Sequence, residues 1–281
     1  MTSGRIRASS WILLLCTVVL VGCTQKPKEI PLEARPPEQI FKMAEAKLTA
    51  KKGAEEAAKL FGEVERLYPY SEWAKRSIVM SAYAFHKAKK YEKARAAAQR
   101  YLDFYPADQD AAYAQYLIAL TYYDQIDKVG RDQGNTFRAL QALRVVIERY
   151  PDSDYARSAK LKFDLAIDHL AAKEMEVGRY YLKRGHYLAA INRFRVVVED
   201  YQTTTQTPEA LYRLVEAYLS LGLEKEAQTA AAILGYNFKG TSWYKDAYDL
   251  LKGRGLEPKG LLKGKGWLAK VWRQVVKGEW L

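Results

Sequence analysis

The chain has 281 residues, of which 49% are apolar, and a formal net charge of +12. Those totals exclude a chain too polar to bury a core and leave one or two compact domains or one elongated repeat array. The charge favours anionic partners: nucleic acid, an anionic membrane surface and acidic protein faces all fit it.

The first segment is a targeting leader. Arg5 and Arg7 form a basic start with no acidic residue nearby, and residues 11–21 are an apolar run too short to span a bilayer as a stable helix. The run ends in Leu20-Val21-Gly22-Cys23. Small residues before a cysteine let a signal peptidase reach the backbone, and the thiol is then the atom that can carry a lipid. The pattern resembles the bacterial lipobox, so residues 1–22 are read as a lipoprotein signal peptide and Cys23 as the lipidated N-terminus. The plain alternative is a buried apolar helix with an incidental cysteine. Cys16 leaves with the leader and Cys23 is acylated, so the mature chain keeps neither a free thiol nor a disulfide, and its stability rests on its core. The covalent lipid on Cys23 is the one attached group expected, with no cofactor beside it. Thr24 follows the cysteine where an Asp retains enteric lipoproteins in the inner membrane. Its presence there resembles outer-membrane sorting.

Residues 23–37 form the lipidated end and a tether containing Pro27, Pro31, Pro36 and Pro37, which should be extended. From residue 38 to 251 the sequence reads as helix almost throughout, with no convincing strand. Three amphipathic stretches stop at Tyr68-Pro69, Tyr105-Pro106 and Tyr150-Pro151, where proline blocks continuation of the helix. Counting back from each Pro finds the same offsets: Ala57 and Phe61, Ala94 and Ala98, Ala139 and Leu143. A fourth unit has Gly178, Tyr181, Ala190 and Phe194, with Gln202 where Pro would fall. A fifth has Tyr218 and Ala227. Small residues let two antiparallel helices approach, and large ones fill the space to the next pair. Gly53, Gly185 and Gly222 mark the tight turns. The pattern resembles the tetratricopeptide repeat. The expected fold is all-α, a right-handed superhelical stack of about five such helix pairs, against the alternative of a non-repeating helical bundle.

Two irregularities stand out. Residues 126–135 are an insertion between the helices of the third unit, rich in Asp, Gly and Asn, and residues 155–183 read as one long helix of about eight turns. Residues 242–251 form a short closing helix. The tail, residues 252–281, holds eight basic and two acidic side chains and three of the six tryptophans. It is Gly- and Lys-rich over 253–266 and resumes a helical period over 267–277. It could lie on a membrane surface, fill a groove on a partner, or fold back and cap the last repeat. A partner or membrane contact is the favoured reading.

The lipobox, five such units, the insertion and the long fourth-unit helix together resemble the BamD family, the tetratricopeptide lipoproteins of the bacterial outer-membrane β-barrel assembly machinery. The closest stretches are Ala112-Tyr113-Ala114-Gln115-Tyr116-Leu117 and Tyr180-Tyr181-Leu182-Lys183-Arg184-Gly185, the latter continuing into Ala189-Ala190-Ile191-Asn192-Arg193. The resemblance covers residues 38–249 and leaves out the basic tail. It implies a non-enzymatic scaffold, lipid-anchored at the periplasmic face of the outer membrane. Such a scaffold docks through its C-terminal repeats on the barrel insertase, a BamA-like protein, and works beside other lipoproteins of the complex. Its N-terminal repeats help recognise unfolded barrel proteins through an extended C-terminal signal ending in an aromatic residue.

In this repeat the first helix of each unit lines the concave surface. The spacing assigns Arg76, Val79, Tyr83, His86 and Lys87 to that surface from the second unit and Tyr113, Tyr116 and Tyr123 from the third. Aromatic faces beside cations suit an apolar peptide with a terminal carboxylate. The alternative is that the tyrosines merely pack between helices. Arg193 and Arg195, on the second helix of the fourth unit, are the candidates for docking to an acidic face of the insertase, against the reading of a solvated basic helix face.

His86, His169 and His186 have no metal-ligand spacing with acidic or Cys support, so no metal is expected. No nucleophile elbow, P-loop or dinucleotide fingerprint occurs. Nucleic acid could use the basic charge, but a secreted lipoprotein seldom meets it, and none is expected as a partner. Other repeat lipoproteins remain as alternatives: a pilotin for a pilus secretin, whose arrays run to about six regular units, or a regulator of peptidoglycan enzymes. A peptidoglycan-modifying enzyme would need a paired-carboxylate or nucleophile site, and the sequence offers none.

Overall fold

The computed structural model describes residues 31–259 together with 270 and 271. The leader, Cys23, most of the tether and most of the basic tail lie outside the described residues. After a 3-10 turn at Leu32–Ala34 come α1 (Pro37–Thr49), α2 (Ala54–Leu67), α3 (Glu72–Lys87), α4 (Tyr91–Phe104), α5 (Ala111–Tyr123) and α6 (Gly134–Arg149). Then follow α7 (Asp154–Lys183), α8 (Tyr187–Asp200), α9 (Thr207–Ser220), α10 (Glu224–Phe238) and α11 (Ser242–Lys252). No strand occurs among the described residues. None of the described helices is long and apolar enough to cross a membrane. Pro36 and Pro37 open α1 instead of ending the tether, because proline is tolerated in a first turn whose N–H groups have no intrahelical partner.

Every helix packs against the next, and each odd helix also touches the next odd one, from α1 through to α11. Even helices do not come comparably close to one another. Five antiparallel pairs are therefore stacked, with the odd helices as the inner row and α11 closing the end. The small positions do what the spacing requires: Ala57, Ala94, Ala139 and Ala190 are fully buried, as are Phe61, Ala98, Leu143 and Phe194. The core is divided into clusters along the stack, as expected where each unit buries its face only against its neighbours.

The junction between units is a repeated turn. Tyr68, Tyr105, Tyr150 and Tyr201 end their helices with nearly the same backbone, φ from −134° to −126° and ψ from 37° to 56°. Three residues on, Ser71, Ser153 and Thr204 donate to the tyrosine carbonyl at 2.8 Å. Ser71 and Ser153 also accept from Ala74 N and Ala156 N at 3.1 Å, which caps α3 and α7. Gln202 occupies the proline position of the fourth junction without changing the turn, so proline reinforces the stop but is not required for it.

Within pairs, the turns of the fourth and fifth units place Gly185 (φ 75°) and Gly222 (φ 73°) in the left-handed region. In the second unit Lys89 takes the same role at φ 58°. The hydrogen bonds match: Lys90 N to Phe85 O at 2.9 Å, His186 N to Tyr181 O at 3.0 Å, Leu223 N to Tyr218 O at 2.9 Å. Gly53 serves differently. Its φ is −90°, and it is needed because a Cβ there would lie 2.1 Å from Lys47 O. A side chain in the left-handed region costs about 1–2 kcal/mol. Lys89→Gly should therefore raise stability by about 1 kcal/mol in a denaturant melt, and an unchanged midpoint would show that the turn carries no strain.

The insertion of the third unit is a loop over residues 124–133, two residues earlier than the expected 126–135, because Gly134 and Asn135 open α6. It is fixed rather than loose: Asn135 Nδ2 donates to Gln125 O at 3.0 Å and Lys173 Nζ to Gly130 O at 3.0 Å. At the C-terminal end, Arg254 donates to Leu219 O at 3.1 Å, Gln228 to Glu257 O at 2.9 Å, and Lys259 N to Gln228 O at 3.2 Å. Val271 is buried in the C-terminal core cluster. The start of the tail is thus held along α10, and for Val271 the contact made is the self-capping one, not an outward-facing one. The rest of the tail's helical stretch lies outside the described residues.

Candidate functional site

The inner row of odd helices is joined by aromatic pairs. Phe41 on α1 meets Trp73 on α3 with ring centroids 5.1 Å apart. Tyr113 and Tyr116 on α5 flank Tyr155 on α7 at 5.1 and 5.6 Å. Tyr212 on α9 meets Trp243 on α11 at 5.4 Å. Cations lie over these rings. The Arg76 guanidinium is 5.2 Å from both Phe41 and Trp73, and Arg213 is 5.1 Å from Tyr212 and 5.5 Å from Trp243. Lys162 lies 4.6 Å over Tyr123. Such contacts contribute about 0.5–2 kcal/mol each and hold the guanidinium or ammonium at the surface of the row.

The eight groove residues divide into distinct groups. Arg76 is exposed beside its two rings, and Tyr83, Tyr113, Tyr116 and Tyr123 are half-buried between odd helices. Burial pushes the hydroxyls of Tyr113, Tyr116 and Tyr123 up from their ordinary pKa, so they act as neutral hydrogen-bonding groups. Val79 corrects the sequence reading. It is 6% exposed and packs into the core with Ala82, Ala98 and Leu117, because its position on α3 faces the helices behind the inner row. His86 and Lys87 are already engaged. His86 Nε2 is 2.8 Å from Asp124 Oδ2, tying α3 to the end of α5, and Lys87 Nζ donates to Leu48 O at 3.0 Å at the end of α1. The aromatic partners Trp73, Tyr155 and Trp243 were not among the sequence candidates. Their signal is simple: each stands two residues after a capping hydroxyl, Ser71, Ser153 or Thr241.

Arg193 and Arg195 are both on α8. Arg193 pairs with Glu174 of α7 at 3.1 Å, and Arg195 with Glu199 at 3.0 Å. Their side chains remain nearly half exposed, so each guanidinium has an internal partner and an open side. Among the described residues no cluster of three or more His, Cys, Asp or Glu is placed to hold a metal ion.

Two cavities flank this arrangement. One, of about 280 Å³, lies at the end of the α5–α7 contact and is lined by Tyr123, Ile126, Asp127, Leu165, Ala166 and His169. The other, of about 680 Å³, lies between the even helices α2 and α4, with Tyr70 and Phe104 exposed at its rim and Arg100 inside it.

The family model for YfiO, an outer membrane lipoprotein, matches residues 33–233. The outer membrane protein assembly factor BamD of Caulobacter vibrioides is 49% identical over 247 residues, 87% of this chain and 81% of the relative. The protein of the same name from Rickettsia prowazekii is 41% identical over 240 residues, 85% and 95% of the two chains. That from Neisseria meningitidis serogroup A is 34% identical over 192 residues, 65% and 72%.

Proposed function

The chain belongs to the YfiO family of outer membrane lipoproteins, the family of the BamD assembly factors, and we propose that it is a non-enzymatic scaffold for outer-membrane protein assembly. The observation that carries this reading is the similarity itself: 49% identity to an assembly factor across 87% of the chain. In this proposal Cys23 carries a lipid that holds the stack at the periplasmic face of the outer membrane. The C-terminal units dock on the barrel insertase, with the open sides of Arg193 and Arg195 toward an acidic face of it. Other lipoproteins of the complex bind elsewhere on the stack. The inner row receives an unfolded barrel protein as an extended peptide: Arg76 offers a charge for a terminal carboxylate, and the half-buried tyrosines offer ring faces and neutral hydroxyls.

The test is affinity purification of the lipidated protein from its native envelope, with mass spectrometry of what co-elutes. A barrel protein with periplasmic repeat domains should appear in stoichiometric amount. Recovery of a secretin or a cell-wall hydrolase in its place would sink the proposal. Exchanging residues 1–23 for a secretory leader whose cleavage needs no cysteine should move the protein from the membrane to the soluble periplasmic fraction, and Arg193→Ala should lower recovery of the barrel partner without changing the melt. Membrane retention of the exchanged variant would remove the lipid anchor from the reading.

A further inference from the structure

The turns inside the helix pairs lie along one edge of the stack, and in the first two units that edge is basic. Lys51 and Lys52 stand in the turn after α1, Lys89 in the turn after α3 and Lys93 in the first turn of α4, and all four are exposed. Lys87 Nζ reaches across to Leu48 O, so the two turns lie side by side. The carboxylates of the edge already have cations: Glu56 has Lys47 at 2.9 Å, Glu55 has Lys90 at 3.7 Å, and Glu92 has Arg95. Asp124, at the next turn, is bonded to His86. Among the described residues no carboxylate pairs with Lys51, Lys52, Lys89 or Lys93. Folding alone accounts for Lys51 and Lys52, which follow a helix C-terminus where positive charge is favoured. It does not account for the others. Lys89 takes φ 58° where the fourth and fifth units have glycine. Lys90 fills the N-cap of α4 without a capping side chain, and Lys93 lies in that helix's first turn, where a cation opposes the helix dipole. Three neighbouring positions thus give up local stability and keep positive charge.

We propose that this edge rests on the bilayer and takes the phosphodiester headgroups of anionic phospholipid. Lysine ammonium groups are compact charges on flexible stems, suited to a fluid array of phosphates rather than to one fixed partner. The inference rests on the reading that Cys23 carries a lipid, since that lipid brings a membrane surface to the first unit. The tether, residues 24–36, spans at most about 45 Å, and α1 is about 20 Å long, so the edge lies within reach of the bilayer that holds the anchor. The charge thins away from the anchor. The third unit's loop mixes Asp127 and Asp132 with Lys128 and Arg131, and the fifth unit's turn, Leu221-Gly222-Leu223, has no charge. The lipid holds the chain, and the lysines set which edge of the stack faces the membrane. Exposed charges are screened over about 8 Å at physiological salt, so the edge alone binds weakly and reversibly there.

The mature chain without its lipid, residues 24–281, should be mixed at low salt with vesicles of phosphatidylethanolamine and phosphatidylglycerol and, separately, of phosphatidylcholine alone, then sedimented. Only the first should carry the chain down. Each lysine removed should weaken binding about fivefold, the effect of one basic residue near an anionic surface. Lys89→Gly is the sharpest variant, because it should lose that factor while its melting midpoint rises, a pair of results that misfolding cannot produce. Lys51→Arg with Lys52→Arg should bind as the native chain does. The basic tail also attracts anionic vesicles, so position is read separately. Both cysteines precede residue 24, so Ala50→Cys or Tyr70→Cys supplies a single thiol for a dye. Ala50 is exposed on the basic edge, and Tyr70 is exposed at the opposite end of α2. Nitroxide on the lipid headgroups should quench the dye at 50 and spare the dye at 70. Equal binding to phosphatidylcholine vesicles, unchanged binding by Lys89→Gly, or equal quenching at the two sites would overturn the inference. A chain released by the leader exchange but bound by no anionic vesicle keeps the anchor and removes the basic edge. A chain that passes the vesicle test but brings down no barrel partner from the envelope removes the assembly reading and leaves the edge.

Discussion

Phe194→Ala should lower the stability of the stack by about 3–5 kcal/mol, the range for removing a fully buried aromatic ring. Phe194 is 0% exposed and belongs to the C-terminal core cluster with Met175, Leu211 and Leu214. Its place depends on Gly178. A Cβ at residue 178 would lie 2.4 Å from Phe194 Cε1 and 2.8 Å from Cδ1, so the glycine is what lets α7 and α8 approach. Gly178→Ala gains about 1 kcal/mol of helix propensity. That gain is outweighed by overpacking, which costs about 1–3 kcal/mol where no flexible group can yield. The pair Gly178→Ala with Phe194→Leu should therefore be less unstable than the sum of the two single changes, and a double-mutant cycle in urea reads the coupling directly. Additive effects would mean that the helices separate slightly and the close approach is not essential.

Asp108→Ala should cost about 1–3 kcal/mol and should also remove part of the protein's acid sensitivity. Asp108 occupies the junction position where the other units have Ser71, Ser153 and Thr204. Its carboxylate accepts from the hydroxyl of Tyr101, from the Asp110 N–H at 3.0 Å, and from the Lys75 ammonium. Tyr101 is completely buried, so truncation leaves its hydroxyl without a partner inside the core. Burial pushes the Asp108 carboxyl up, but Lys75, Tyr101 and the Asp110 N–H together outweigh that and hold it at about 2. A carboxyl depressed in the folded state adds stability that is complete above its unfolded value, about 4, and is lost as pH falls through about 2. Melting curves from pH 5 to pH 2 should steepen for the native chain relative to Asp108→Asn, which keeps an oxygen for Tyr101 but has no charge to titrate. Parallel curves would assign the acid response to other carboxylates.

Much of the fold can be read from the sequence because the repeat imposes fixed offsets. Ala57, Ala94, Ala139 and Ala190 are identified by their distance from the next stop, and all four are buried where that distance puts them. The long fourth-unit helix is legible for a related reason: no breaker interrupts 154–183, and its Ser153 cap stands at the start. Residues whose role depends on the tilt between units are harder to read. Val79 lies three positions after Arg76, and a small error in helix phase moves it from the inner surface to the core. Lys89 does a glycine's work without a glycine's signature, because the hydrogen bonds of the turn outweigh its backbone strain. Trp73, Tyr155 and Trp243 were missed because each lies in a first turn, where helical periodicity carries little information, although the capping hydroxyl two residues earlier marks them. The docking candidates Arg193 and Arg195 are placed on the expected helix, but their pairing with Glu174 and Glu199 depends on contacts that spacing alone cannot assign.

The 30-residue helix α7 has one more consequence. At 1.5 Å per residue it is a rod about 45 Å long, close to twice the length of a typical helix in the stack. Its first half is wedged with Ala119, Leu143 and Val146 through Ala159, and its second half with Phe194 and Leu211 through Ala171 and Met175. Two halves of the array thus share a single beam, with no hinge between the face that bears His169 and the end that meets Arg193. A proteolytic nick or a short insertion near its midpoint should disable both ends together, so for handling by proteases and for genetic recombination the array has no seam there.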